Sequence, residues 1–173
     1  MTQQIRYRVG QLFRALTARV SDEEVRRATR ALTPEAQTLF RRQAAQDQRH
    51  VLAVCRALRR AGHTNPHLLA AALLHDAGKA ATRLSVIHRS VIVLLGRFAP
   101  ALLTRLSRGE PGWWNRPFAI HARHAEIGAH WAEEAGCSAL AVALIRRHEE
   151  EPTGGLTEEG RLLAALQAAD DAN

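Results

Sequence analysis

Between its turn signals the chain is written almost wholly in alanine, leucine and arginine. Apolar residues recur at three and four positions, and no stretch alternates apolar with polar as a half-buried strand would. That pattern admits helices packed on helices and little else. The punctuation agrees: Ser21 stands ready to cap "DEEVRRATRAL", Thr33 and Pro34 open "PEAQTLFRRQAA", and Asp47 starts "QRHVLAVCRALRRAG", which Gly62 ends. "HTNP" turns the chain into "PHLLAAALLHDAG", where Gly78 marks an end or a bend. Helices are also expected over 82–95, 100–107, "FAIHARHAEIGAHWAEEAG" up to Gly136, "SALAVALIRRHEE" from Ser138 and "EEGRLLAALQAADDAN" from Thr157, with "QIRYRVGQLFRALTARV" as the first of all. The expected fold is all-α, a compact multi-helix bundle.

With 173 residues the chain fits one domain that can bury a core without covalent staples. Residues 1–45, dense in charge, read as an N-terminal helical extension packed on a core of 46–173. The two cysteines, Cys55 and Cys137, lie far apart in apolar helical patterns and read as buried small residues in a reducing compartment. "MTQQIRYRVGQLF" has no long apolar run and no small-residue cleavage site, so a cytoplasmic location is the expectation. The longest apolar stretch, "SVIVLLGRFAPALLTRL", is broken by Arg97 and Pro100 and falls short of the roughly 20 residues a membrane span needs. It reads as a buried helix pair, with contact to a membrane or partner surface as the alternative.

Formal net charge is +7, and 23 of the 24 basic residues are arginine; Lys79 is the only lysine. A bias that strong points to a compositional pressure that spared one ammonium, a compact point charge that arginine does not reproduce. A positive field draws anionic small molecules, nucleic acid or acidic lipid alike, so it selects a charge class rather than a ligand.

Several histidines and aspartates fall at helix ends, where side chains from different helices can converge. His50 is near one start, His75 and Asp76 near one end, His121 and His124 early in a helix, His148 at another end and Asp170 at the last. Adjacent His75 and Asp76 point about 100° apart on a helix, so both reach one ion only if it sits beside the helix end. Imidazole with carboxylate suits divalent Zn, Fe, Mn, Co or Ni better than an all-oxygen calcium cage. Singly, each residue has a plainer reading: a solvated helix start, a partial cation at a helix C-terminus, a frayed acidic tail, a local hydrogen-bonded pair.

In order, these residues resemble the HD-domain superfamily of metal-dependent phosphohydrolases over roughly residues 46–171. That family carries a His on one helix, a His-Asp doublet on the next and an Asp on a late helix, matched here by His50, His75 with Asp76, and Asp170. "ALLHDAGK" follows the form in which a small residue, Gly and Lys come after the doublet; "HAEIGAHWAEEAG" and "LIRRHEE" resemble the segments that supply two more histidines, at His124 and His148. The resemblance implies an all-helical bundle with one or two divalent ions (Mn, Fe, Co, Ni, Zn or Mg). One ion would be held by His50, His75, Asp76 and Asp170, and a second, bridged by Asp76, by His124 and His148. It implies hydrolysis of a phosphomonoester or phosphodiester by an activated water, with Asp76 and Lys79 as catalytic residues, Lys79 meeting a phosphate oxygen or transition-state charge. The partner implied is an anionic, nucleotide-like small molecule.

"EEEPTGGL" after His148 lacks the features of the cyclic-dinucleotide phosphodiesterases, and Ala80, Ala81 and Thr82 stand where alarmone hydrolases carry a Glu-Asp pair. Two alternatives stay open: a regulatory module that binds a nucleotide or membrane surface with little turnover, and a di-iron oxygenase of the same fold. His121, one turn before His124, is an alternative ligand, while His63, His67, His88 and His130 read as turn or surface residues. Arg83, Arg116, Arg123, Arg146 and Arg147 lie nearest the motifs and could fork onto phosphate. Trp113 and Trp114, in the one clear loop, "SRGEPGWWNRP", read as a hydrophobic plug, with a base-stacking platform or lid as the alternative.

Overall fold

A computed structural model of the chain describes residues 20–82, 86–108, 110, 112–151 and 157–173. The helix expected before Ser21 lies outside the described residues, as does Arg83. Among the described residues the regular structure is all helical: α1 (Asp22–Thr29), α2 (Pro34–Arg42), α3 (Ala45–Arg60), α4 (Pro66–Leu74), a 3₁₀ segment (Ala77–Ala81), α5 (Val86–Phe98), α6 (Pro100–Ser107), α7 (Arg116–Glu134), α8 (Ala139–Arg147) and α9 (Glu158–Asp171).

The caps work as their chemistry dictates. Ser21, Thr33, Ser138 and Thr157 each accept a hydrogen bond from the backbone N–H three residues on, filling donors that the first turn leaves open. Asn65 caps α4 by accepting from both His67 and Leu68 N–H. Gly62 and Gly136, at φ 87° and 76°, end α3 and α7 in the left-handed conformation that a side chain resists.

Helix α4 is the centre of the bundle. "PHLLAAALL" has no charged residue, and Leu68, Ala71, Ala72, Leu73 and Leu74 are all buried, as a helix without a polar face must be. It packs against α3 and α8, with α2 and α9 also touching it. Val51, Val54, Cys55 and Leu58 of α3, Leu144 and Ile145 of α8 and Leu166 of α9 fill the same core. Ala28, Ala36, Leu39 and Phe40 belong to it too, so the described part of the segment before residue 46 adds its own apolar faces to one continuous interior.

Five expectations shift. Helix α3 begins at Ala45, two residues before Asp47, which lies buried inside its first turn. The helix expected over 82–95 occupies Val86–Phe98, and α7 starts at Arg116, earlier than Phe118. Cys137 sits in the turn between α7 and α8, half-buried; both thiols are free, and burial pushes them up. Helices α5 and α6 do break at Ala99 before Pro100, but the pair is not buried: Val93, Leu94, Phe98 and Leu102 are exposed. Periodicity identified their apolar faces without telling what covers them.

Candidate metal centre

The site is built where α4 stops. Its last helical residue is Leu74; His75 keeps right-handed helical dihedrals, and Asp76, at φ −92° and ψ 1°, starts the tighter 3₁₀ segment. In a 3₁₀ helix residues three apart eclipse each other, which brings Lys79 over Asp76. The ammonium nitrogen lies 2.7 Å from each of the two Asp76 carboxylate oxygens.

Gly78 explains why the chain tightens here. A Cβ on it would stand 2.0 Å from the His124 carbonyl oxygen and 2.8 Å from Gly128 N, so only glycine lets the 3₁₀ segment lie directly on α7. Gly128 answers from the other side, where a Cβ would meet Gly78 N at 3.1 Å. This backbone-on-backbone contact carries His124 to Asp76.

Three imidazoles share one arrangement. His75, His124 and His148 each donate Nδ1–H to the carbonyl three residues earlier, Ala72 at 3.1 Å, His121 at 2.6 Å and Ile145 at 2.7 Å. Their Nδ1 protons are thereby fixed, and in the neutral ring the lone pair is on Nε2. The rings form a chain, His75 to His148 with centroids 4.9 Å apart and His148 to His124 at 5.2 Å. Rings this close cannot all be cations. Burial, then the neighbouring His75, holds His148 down to about 3, so that ring is neutral.

The Nε2 atoms of His75 and His124 are buried and have no hydrogen-bond partner. What they face is carboxylate: His75 Nε2 lies 3.4 Å from Asp170 Oδ1 and 3.9 Å from Asp76 Oδ1, and His124 Nε2 lies 3.4 Å from Asp76 Oδ1 and 3.6 Å from Glu149 Oε1. A neutral Nε2 and an ionised carboxylate are both acceptors, so without a cation the two are reconciled only by a proton between them. A divalent cation can take that proton's place: two donors each about 2.1 Å from one ion stand roughly 3.0–3.4 Å apart. Burial pushes the Asp76 carboxyl up, but His75, His124 and Lys79 outweigh it and hold it well below the carboxylate range, so it is ionised.

His50 is held differently. Its Nε2 donates to Asp170 Oδ1 at 2.7 Å, which lifts His50 above its ordinary value against the effect of burial. Asp170 is pushed up by burial and pulled further down by His50 and His75. The residues therefore fall into three overlapping groups whose potential ligand atoms lie within 4.8 Å of one another: His50, His75 and Asp170; His75, Asp76 and His148; His124, His148 and Glu149.

All seven residues picked out from the sequence, Lys79 included, are thus drawn into one cluster from five separate segments. His121 is not a member of these groups: its ring stacks on His124 at 5.7 Å while its carbonyl fixes the His124 tautomer. His67 is tied by its Nδ1 to Ser138 Oγ at 2.7 Å, joining the starts of α4 and α8. Arg146 pairs with Glu126, and Arg147 with Glu150 and Glu159, so both guanidinium groups are engaged on the surface. Arg116 reaches the Ala81 carbonyl at 3.4 Å. Three contributors lay outside the sequence reading: Glu149, Gly128, and Gln167, which donates to the carbonyls of His148 and Glu150 and fastens the end of α8 to α9.

No family model, curated protein or solved structure matches the chain. A cleft of about 300 Å³ opens beside the cluster, lined by His148, Glu149, Glu150, Gln167, Asp170 and Asp171. Its wall is acidic, so without a bound cation it repels an anion. A larger groove of about 470 Å³ between α1 and α3 shares no residue with it. Trp113 and Trp114 do not plug the interior: Trp113 is 93% exposed and Trp114 is exposed as well.

Proposed function

We propose that this chain is a metal-dependent phosphohydrolase of the HD type, acting on a small phosphate ester such as a nucleotide. The observation that carries the reading is the pair of buried, partnerless Nε2 atoms of His75 and His124 aimed at ionised carboxylates. His50, His75, Asp76, His124, His148 and Asp170 would hold one or two divalent ions, and Glu149 is placed to add a ligand. Such ions supply Lewis acidity and bring the pKa of a bound water down from 15.7 to about 7.

The chain's own groups do the rest. Backbone carbonyls of Ala72, His121 and Ile145 hold Nδ1–H of three imidazoles, so each ring offers Nε2 to a metal without turning. Asp76, kept ionised between His75 and His124, would hold such an ion. Lys79 neutralises part of the Asp76 charge and would supply a compact cation to a substrate phosphate oxygen. The acidic cleft wall makes phosphate binding depend on the metal, since no arginine among the described residues lines that cleft.

Purified protein supplied with Mn, Co, Ni or Mg should hydrolyse a phosphomonoester or phosphodiester, and Asp76→Ala should lose both metal and turnover. Absence of metal and of activity across those ions would sink the proposal. A reaction that needs iron and dioxygen would instead select the oxygenase reading.

A further inference from the structure

The charge of this chain is not spread over it. Residues 77–125 hold eight of the 24 basic residues and one of the 17 acidic ones, Glu110, so this stretch carries the whole formal net charge of +7 while the remainder balances to zero. It comprises the 3₁₀ segment, α5, α6, the tryptophan loop and the first half of α7. Arg97, Arg105, Arg108 and Arg116 are exposed on it.

The same stretch carries the largest exposed apolar side chains of the described residues. On α5, Ile92 is buried, and a Cβ on Gly96, one turn on, would meet Leu103 of α6 at 3.7 Å, so that stripe faces α6. Val91, Leu94 and Phe98, at i, i+3 and i+7, share the opposite face, and Phe98 is 77% exposed. Arg97 lies over the Phe98 ring at 5.6 Å. On α6, Leu102 and Arg105 share a face three residues apart and are both exposed. In the loop, buried Asn115 accepts from Gly112 N–H at 2.6 Å and donates to the Glu110 carbonyl at 3.4 Å. The turn is thus tied from within, and Trp113 and Trp114 are held outward.

We propose that α5, α6 and the tryptophan loop form a docking face for an anionic membrane surface. Exposed Phe, Trp and Leu among arginines, with almost no carboxylate, is the composition that sits at the lipid headgroup boundary: apolar groups enter the acyl edge while guanidinium groups stay with phosphates. No helix among the described residues is long and apolar enough to cross a membrane, so the contact is peripheral. Nucleic acid does not account for the aliphatic Val93, Leu94 and Leu102. A second copy meeting through the same face would set +7 against +7. Residues 1–19 carry Arg6, Arg8, Arg14 and Arg19 and no carboxylate, so they offer that face no opposite charge.

The test is co-sedimentation of the full chain with vesicles of phosphatidylcholine alone and with vesicles in which phosphatidylglycerol replaces part of it. The chain should pellet with the anionic vesicles, weaken with salt, and shift its tryptophan emission to the blue. Leu94→Asp with Phe98→Asp should reduce pelleting to the level of neutral vesicles, with helicity and metal content unchanged. Arg97→Glu should lower partitioning roughly fivefold or more. No binding to anionic vesicles, or equal binding by the Leu94/Phe98 variant, would overturn the proposal. So would a wild-type dimer that this variant splits, or single-stranded DNA binding lost in Arg97→Glu but kept in the Leu94/Phe98 variant. None of these readouts needs catalysis, so the membrane face and the hydrolase reading stand or fall separately.

Discussion

At the level of single residues, what matters is where the protons sit. An imidazole that spends Nδ1–H on a carbonyl three residues back presents Nε2 to whatever lies ahead, and for His75 and His124 that is carboxylate. Replacing His124 by Ala should remove a metal ligand together with its bond to the His121 carbonyl, and metal affinity should fall, as calorimetric titration with Mn would record. Lys79 is the finer probe. Lys79→Arg keeps the charge but not the compact geometry over Asp76, so metal should be retained while kcat falls about ten- to a hundredfold. His50, His75, Asp76, His124, His148 and Asp170 were legible because their residue types and order have chemical meaning together. Glu149 was not: it is one of three consecutive glutamates, and only the direction in which α8 ends decides which of them faces His124. Lys79 was legible as exceptional, but its ammonium lies on Asp76, a consequence of the 3₁₀ turn that an α-helical reading of "HDAGK" does not contain.

At the scale of elements, the decisive one is the change from α4 to the 3₁₀ segment. Gly78 is the glycine that a helix-end reading singled out, and its reason is the approach to α7 rather than a positive φ. Gly78→Ala should cost about 1–3 kcal/mol in denaturant unfolding, because backbone and not a flexible side chain blocks the new methyl. It should also weaken metal binding, because α7 must move and carry His124 away from Asp76. Caps at Ser21, Thr33, Ser138 and Thr157 were readable because a hydroxyl before an apolar period has one local use. The exposure of α5 and α6 was not readable from period alone. Their apolar residues look the same whether the neighbour is protein or another surface, and the concentration of arginine around them becomes informative only once the helices are seen to stand at the outside.

For the whole molecule, an interior that keeps three close imidazoles and two ionised carboxylates has a pH signature. His148 has a folded value of about 3 against an ordinary 6.5, so the unfolded chain takes up a proton that the folded chain refuses. That contribution lowers the stability of the metal-stripped protein as pH drops below about 6.5, continuing toward 3. Asp76 and Asp170, held down by their partners, stabilise the fold above the ordinary carboxylate range and lose that contribution as pH falls through their depressed values. His50, raised, works in the opposite sense, its contribution full at low pH and lost as pH rises through its raised value. His148 has the larger histidine shift, so thermal unfolding of the stripped protein should show Tm falling from pH 7 to pH 5. Metal at about a hundred times its Kd should add roughly 2.7 kcal/mol, an effect that protons should erode on the acid side. The measurement that bears most directly on the whole account is the metal content of the protein, loaded with Mn or Fe and desalted, beside that of Asp76→Ala. One or two ions per chain in the first and none in the second is the predicted result; no retained ion in either, or equal content in both, would contradict it.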